Sequence, residues 1–252
     1  MRKLLTLALL ACSSVWSADY APVTGGNFSS VLPGDASNAD IVVASYQLRR
    51  EPVTNAEFLL FVRTHPQWRR DQVPAVFADS RYLAHWQTAD TLGPAALPQQ
   101  PVTQVSWFAA QAFCESEGAR LPTWNEWEYA AAADATRRDA RNDPAWRERI
   151  LTWYAEPSNH ALATVGGEAN AYGVRDLHGL VWEWTDDFNA LLVASDSRDQ
   201  NDPDRLKYCG AGAVNLRDRE NYAVLMRVAM LSALKARDTT QNMGFRCAKA
   251  GK

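Results

Sequence analysis

Asn170-Ala171-Tyr172-Gly173-Val174-Arg175-Asp176-Leu177-His178-Gly179-Leu180-Val181-Trp182-Glu183-Trp184-Thr185, followed closely by Asp187, is the stretch whose reading decides the fold. Its indoles, Trp182 and Trp184, together with Trp127, read as core aromatics, because side chains of that size are usually sequestered from water. Upstream lies Pro101-Val102-Thr103-Gln104-Val105-Ser106-Trp107, which runs through Phe113-Cys114 to Gly118-Ala119-Arg120-Leu121-Pro122-Thr123 and Glu126-Trp127-Glu128-Tyr129-Ala130. Downstream lies Gly244-Phe245-Arg246-Cys247. Helix starts are marked at Thr54, with Glu57 completing a capping box and Val53 and Phe58 spaced as a staple; Phe58, Phe61 and Val62 form its inner face. Ser106 caps a second helix whose Trp107, Ala110 and Cys114 share one side and which Gly118 ends. Thr123 and Glu126 form another capping box, followed by Trp127, Ala130 and Ala131 at helical spacing. Between these helices stand short strands and long polar connections, such as Ser80 to Pro101 and Phe188 to Lys207. The apolar run from Tyr222 to Leu234, interrupted by Arg227, fits either a helix or a buried strand. The pattern is α+β and loop-rich, an architecture that buried tryptophans and a metal ion would naturally support.

The N-terminus has charged residues in Met1-Arg2-Lys3, an apolar stretch from Leu4 to Ala11, and small residues around Ser14, Ser17 and Ala18. That order is a secretory signal, too short to span a bilayer. It gives a leader over 1–17 and one domain over 18–252. Cleavage after Ser17 is favoured over lipidation of Cys12 in Leu9-Leu10-Ala11-Cys12, because Leu10 is an indifferent residue for a lipobox. Without Arg2 and Lys3, 24 basic residues face 29 acidic ones with no basic stripe, which argues against nucleic acid and anionic lipid as partners. No later apolar run is long enough for a transmembrane helix. Cys114, Cys209 and Cys247 remain, so an exported chain would hold one disulfide and one leftover thiol.

Taken in order, the three motifs resemble the formylglycine-generating enzyme (sulfatase-modifying factor) family. Glu51-Pro52-Val53-Thr54-Asn55 with Phe58 and Phe61 is similar to that family's first helix start. The resemblance covers nearly the whole mature chain and implies a formylglycine-generating-enzyme-like variant of the C-type lectin fold, often with bound calcium. It implies a Cys114–Cys247 disulfide. It also implies a structural calcium ion held by the Asp176 and Glu183 side chains and the Gly179 and Val181 carbonyls, hard oxygen ligands suited to that ion. Leu180 stands where the family usually has Asn, and 164–169 is too short for a second calcium motif.

Catalytic members of the family use two closely spaced cysteines after a Gly-Gly-Ser segment. Here Gly212 to Asn242 contains no cysteine. Counting back from Gly244 puts the two positions near Asp218 and Ala223, and neither side chain can act as a thiolate ligand or nucleophile. The Gly-Gly-Ser segment is replaced by Cys209-Gly210-Ala211-Gly212-Ala213, and Cys209 has no partner at the family spacing. A second branch of the family holds iron with clustered histidines, but His65, His85, His160 and His178 are scattered. Copper and iron are therefore not expected.

The expectation is a pseudoenzyme: a non-catalytic periplasmic binding protein, with association with the outer membrane as an alternative. The resemblance to exported members without the cysteine pair points to type VI secretion. The partners would be the periplasmic part of a membrane Ser/Thr kinase or an outer-membrane lipoprotein. A tailoring oxidase and a lectin-like receptor are the competing readings. The loops around Trp86, Asp218 to Tyr222 and Asp238 to Asn242 would border the ancestral cleft, which makes Trp86, Asp218, Tyr222 and Asn242 the candidate partner contacts.

Overall fold

The computed structural model describes residues 19–32, 40–155, 161–189 and 222–251. The leader, Cys209 and Asp218 lie outside the described residues, and of Tyr222 only the backbone is described. Four short strands open the fold: β1 (Tyr20–Val23), β2 (Gly26–Phe28), β3 (Ile41–Val43) and β4 (Tyr46–Arg49). In β1 the side chains alternate, with Ala21 and Val23 buried and Pro22 exposed. Pro22 cannot donate to a ladder, and β1 is accordingly an edge strand, with Tyr20 opposite Arg49 and Val23 opposite Tyr46 on β4. The other side of β4 pairs with β7 (Ala248–Ala250), Leu48 facing Ala248, so both ends of the chain meet on one antiparallel sheet. Strands β2 and β3 form a separate antiparallel pair.

The marked helix starts are where the chain enters its first three helices. At α1 (Asn55–Thr64) the Thr54 side chain accepts from the Glu57 N–H, and Glu57 accepts from the Thr54 N–H at 2.8 Å; Val53 and Phe58 are both fully buried. Ser106 caps α2 (Trp107–Ser116), and Gly118 follows it at φ +64°, a left-handed turn that favours glycine. Thr123 and Glu126 close the capping box of α3 (Trp124–Ala131). The helix α4 (Pro144–Ala155) was not read from the sequence. Asp143 accepts from the Ala145 N–H at 2.9 Å, and proline at the first helical position suits its fixed φ. The ambiguous apolar run is helical: α5 spans Tyr222–Ser232, with Val224, Val228 and Leu231 buried at helical spacing. Two strands complete the order, β5 (Trp182–Glu183) and β6 (Met243–Gly244), paired in parallel.

The main core gathers Phe58, Phe113 and Phe245, whose ring centroids lie 5.4–6.0 Å apart, beside the disulfide between Cys114 and Cys247. Trp124, Trp127 and Trp184 are also fully buried. Helix α4 packs through a separate small cluster of Ala140, Trp146 and Ile150. The connection from 80 to 101 has no helix or longer strand; Arg70 satisfies its Leu83 and Trp86 carbonyls at 2.8 and 3.1 Å. No helix among the described residues is long and apolar enough to cross a membrane.

Candidate functional site

The parallel β5–β6 pairing brings Glu183 next to Arg246, far apart in sequence. Gly244 makes the approach possible, because a Cβ there would stand 2.7 Å from the Val102 carbonyl oxygen. Arg246 donates from Nε and Nη2 to the two Glu183 oxygens at 2.8 Å each, with both side chains fully buried. Its remaining donors are used on backbone: Nη1 reaches the Arg49 and Arg50 carbonyls at 3.1 Å, and Nη2 the Arg175 carbonyl at 2.8 Å. The Trp127 indole N–H adds a third bond to Glu183 at 2.9 Å. This network ties α3, β5, the 175 turn and the chain end together. Removing one partner would strand a buried charge, at a cost of about 3–5 kcal/mol.

Above that pair lies a second cation. The Arg227 guanidinium of α5 stands 3.7 Å from the centre of the Trp127 ring and 5.7 Å from that of Trp182. His178 packs edge-on against Trp127 and Trp146, and its Nε2 meets the Ala131 carbonyl at 3.0 Å. Burial first, and then the nearby Arg227 and Arg246 charges, pull its pKa down to about 4, so the ring is neutral at physiological pH. Next to His178 opens a cavity of about 320 Å³, lined among others by Trp146, Arg149, Trp153 and Asp176.

The expected calcium ligands Asp176, Gly179, Val181 and Glu183 stand on the turn that runs into β5. Asp176 sits at φ +59° with its oxygens accepting the Gly166 and Gly167 N–H groups at 2.8 and 3.1 Å. Glu183 is fully engaged by Arg246 and Trp127, so its charge is already matched. Among the described residues no three His, Cys, Asp or Glu side chains converge as a metal site. Gly179 and Val181 would contribute backbone carbonyls.

Trp86 does not border a cleft. It is 2% exposed, donates its indole N–H to Asn55 Oδ1 at 3.1 Å and packs on Phe58. Asn242 is half-buried; its carbonyl accepts from the Trp182 N–H at 2.8 Å and its side chain from the Thr240 hydroxyl at 3.0 Å. The expected disulfide is present, with a Cα–Cα distance of 5.5 Å across 133 residues. Sequence reasoning missed Arg246 and Arg227. The available signal was a lone arginine inside the apolar run Tyr222 to Leu234, because a charge in a buried segment requires a partner.

The family model of the sulfatase-modifying factor enzyme 1-like domain matches residues 16–251. The formylglycine-generating enzyme of Streptomyces coelicolor is 34% identical over 191 residues, 66% of this chain and 58% of that one. The hercynine oxygenase of Mycolicibacterium smegmatis is 31% identical over 176 residues, 57% of this chain and 37% of that one. The inactive C-alpha-formylglycine-generating enzyme 2 of Mus musculus is 29% identical over 190 residues, 60% of this chain and 61% of that one. The chain thus spans between 37% and 61% of the length of these relatives, which include both enzymes and an inactive member. With the family match extending over nearly all of its length, this loop-rich α+β chain belongs to the sulfatase-modifying factor family.

Proposed function

We propose that this chain is a non-catalytic, exported binding protein that resembles the type VI secretion regulator TagR. It promotes activation of a membrane-embedded Ser/Thr kinase by contacting the kinase's periplasmic part, together with an outer-membrane lipoprotein. The observation that carries the reading is chemical: no cysteine occurs between Gly212 and Asn242, where catalytic members need two thiolates. Cys114 and Cys247 cannot substitute, because they are joined to each other in the core. A family that includes an inactive relative accommodates such a loss. The leader read at 1–17 supports export.

The test is affinity capture with the tagged mature chain from detergent-solubilised envelopes of the source bacterium. Co-purification of the kinase or the lipoprotein is expected, and deleting the chain should lower threonine phosphorylation of the kinase's target. Recovery of neither partner overturns the regulatory reading. Stoichiometric copper or iron in the purified protein overturns the non-catalytic one.

A further inference from the structure

A second cavity, of about 390 Å³, opens between the loop that follows α1 and the turn that follows α5. Arg70, Asp79 and Ser80 line it from the first segment, and Arg237 lines it from the second. The two segments are tied at this point. The Asp79 N–H donates to the Arg237 carbonyl at 2.9 Å, and the Thr239 hydroxyl donates to Asp79 Oδ1 at 2.5 Å. Val73, Ala78 and Tyr82 supply apolar wall, with Ala78 and Tyr82 buried.

The charges around this cavity do not cancel. Asp79 is spent on its own neighbours: besides Thr239, it accepts from the Arg81 N–H at 2.9 Å and pairs with the Arg81 guanidinium at 3.1 Å. Neither Arg70 nor Arg237 forms an ion pair among the described residues. Arg70 gives Nη1 to the Leu83 and Trp86 carbonyls at 2.8 and 3.1 Å, which holds its guanidinium plane in place. Its Nε–Nη2 edge has no protein partner among the described residues and is not sealed from solvent. In the core, Arg246 grips both oxygens of Glu183 with that same edge.

We propose that this cavity is a binding site for a small organic carboxylate with an apolar body. The carboxylate meets the free edge of Arg70, Arg237 adds a second cation from the facing turn, and the apolar body lies against Val73, Ala78 and Tyr82. Each part of the ligand answers one feature of the wall. Two guanidinium groups without a carboxylate of their own select an anion, and a planar two-donor edge selects a carboxylate. A mostly apolar lining with a few fixed polar groups is the makeup of a small-molecule site. The inference goes beyond the kinase reading and does not depend on it: failed capture of a kinase leaves it standing, and failed ligand binding leaves the kinase reading standing.

Sodium 3-phenylpropionate is the probe, with 3-phenylpropanamide as the neutral counterpart at matched ionic strength, both titrated to millimolar concentration and read by saturation-transfer NMR and melting temperature. The carboxylate should give a saturable signal and raise Tm, while the amide does neither. Arg237 is exposed and its side chain holds nothing else, so Arg237→Gln should leave the fold intact and weaken binding roughly fivefold or more. Ala75 is an exposed lining residue, and Ala75→Trp should fill the cavity and abolish binding with both arginines still in place. That second variant separates a cavity from simple attraction to a charged surface. No saturable response to the carboxylate, an equal response to the amide, or undiminished binding by either variant overturns the proposal.

Discussion

His178 shows how a single side chain in this core becomes a pH reporter. Its ring is packed between Trp127 and Trp146, which leaves little room for water to solvate a positive charge. The folded protein therefore holds its pKa at about 4, against an ordinary value of 6.5. Between those values the unfolded chain binds a proton that the folded chain refuses, so stability falls as pH drops through that window and, for this group, levels off below about 4. The full effect is about 3 kcal/mol. The carboxylates held low by arginines, such as Asp134 beside Arg137, act in a different window, losing their contribution only as pH falls below the normal carboxylate range. Urea midpoints measured from pH 7 to pH 4 should decline, and His178→Gln should flatten the decline above pH 4. An unchanged slope in that variant would remove His178 as its source.

At the scale of elements, local chemistry was legible and long-range chemistry was not. The capping boxes at Thr54 and Thr123 were readable because each is complete within four consecutive residues and answers unpaired N–H groups at a helix start. Thr123→Ala should accordingly cost about 1 kcal/mol in a denaturant melt, and Thr123→Ser almost nothing. Equal melts for Thr123→Ala and the wild type would mean that Arg120, whose guanidinium holds Glu126 at 2.6 and 2.7 Å, fixes the helix start alone. Helix α4 escaped notice although Asp143-Pro144 is a sound start, because its apolar residues face a small separate cluster and give little periodicity. Helix α5 was ambiguous for the opposite reason: it is apolar on most sides, and a run of that kind has no period to read. The β1–β4–β7 sheet could not be read at all, since its strands have three or four residues and its members come from opposite ends of the chain.

Over the whole molecule, the candidate site shows the same division. The segments that form it stood out in the sequence, but their wiring did not. The motif around Glu183 suggests a metal ligand but gives no sign of Arg246, which lies 63 residues away in a terminal motif and pairs with it. One long-range link did follow from the resemblance, the Cys114–Cys247 disulfide, and it sits where the fold needs it. It fastens α2 to the residue just before β7, the strand that closes the sheet shared by both chain ends. Without it, 133 residues separate the two halves of that junction, and the unfolded chain gains freedom worth about 3–5 kcal/mol. Both sulfurs are fully buried, so alanine is the fitting replacement, since serine would add an unpaired hydroxyl. The double variant Cys114→Ala/Cys247→Ala should unfold at a clearly lower urea concentration and with a steeper slope, because its unlinked chain exposes more surface. Wild-type protein melted in reductant should converge on the variant's midpoint. If the variant instead keeps the wild-type midpoint, the sheet and the Glu183–Arg246 pair hold the chain ends together unaided.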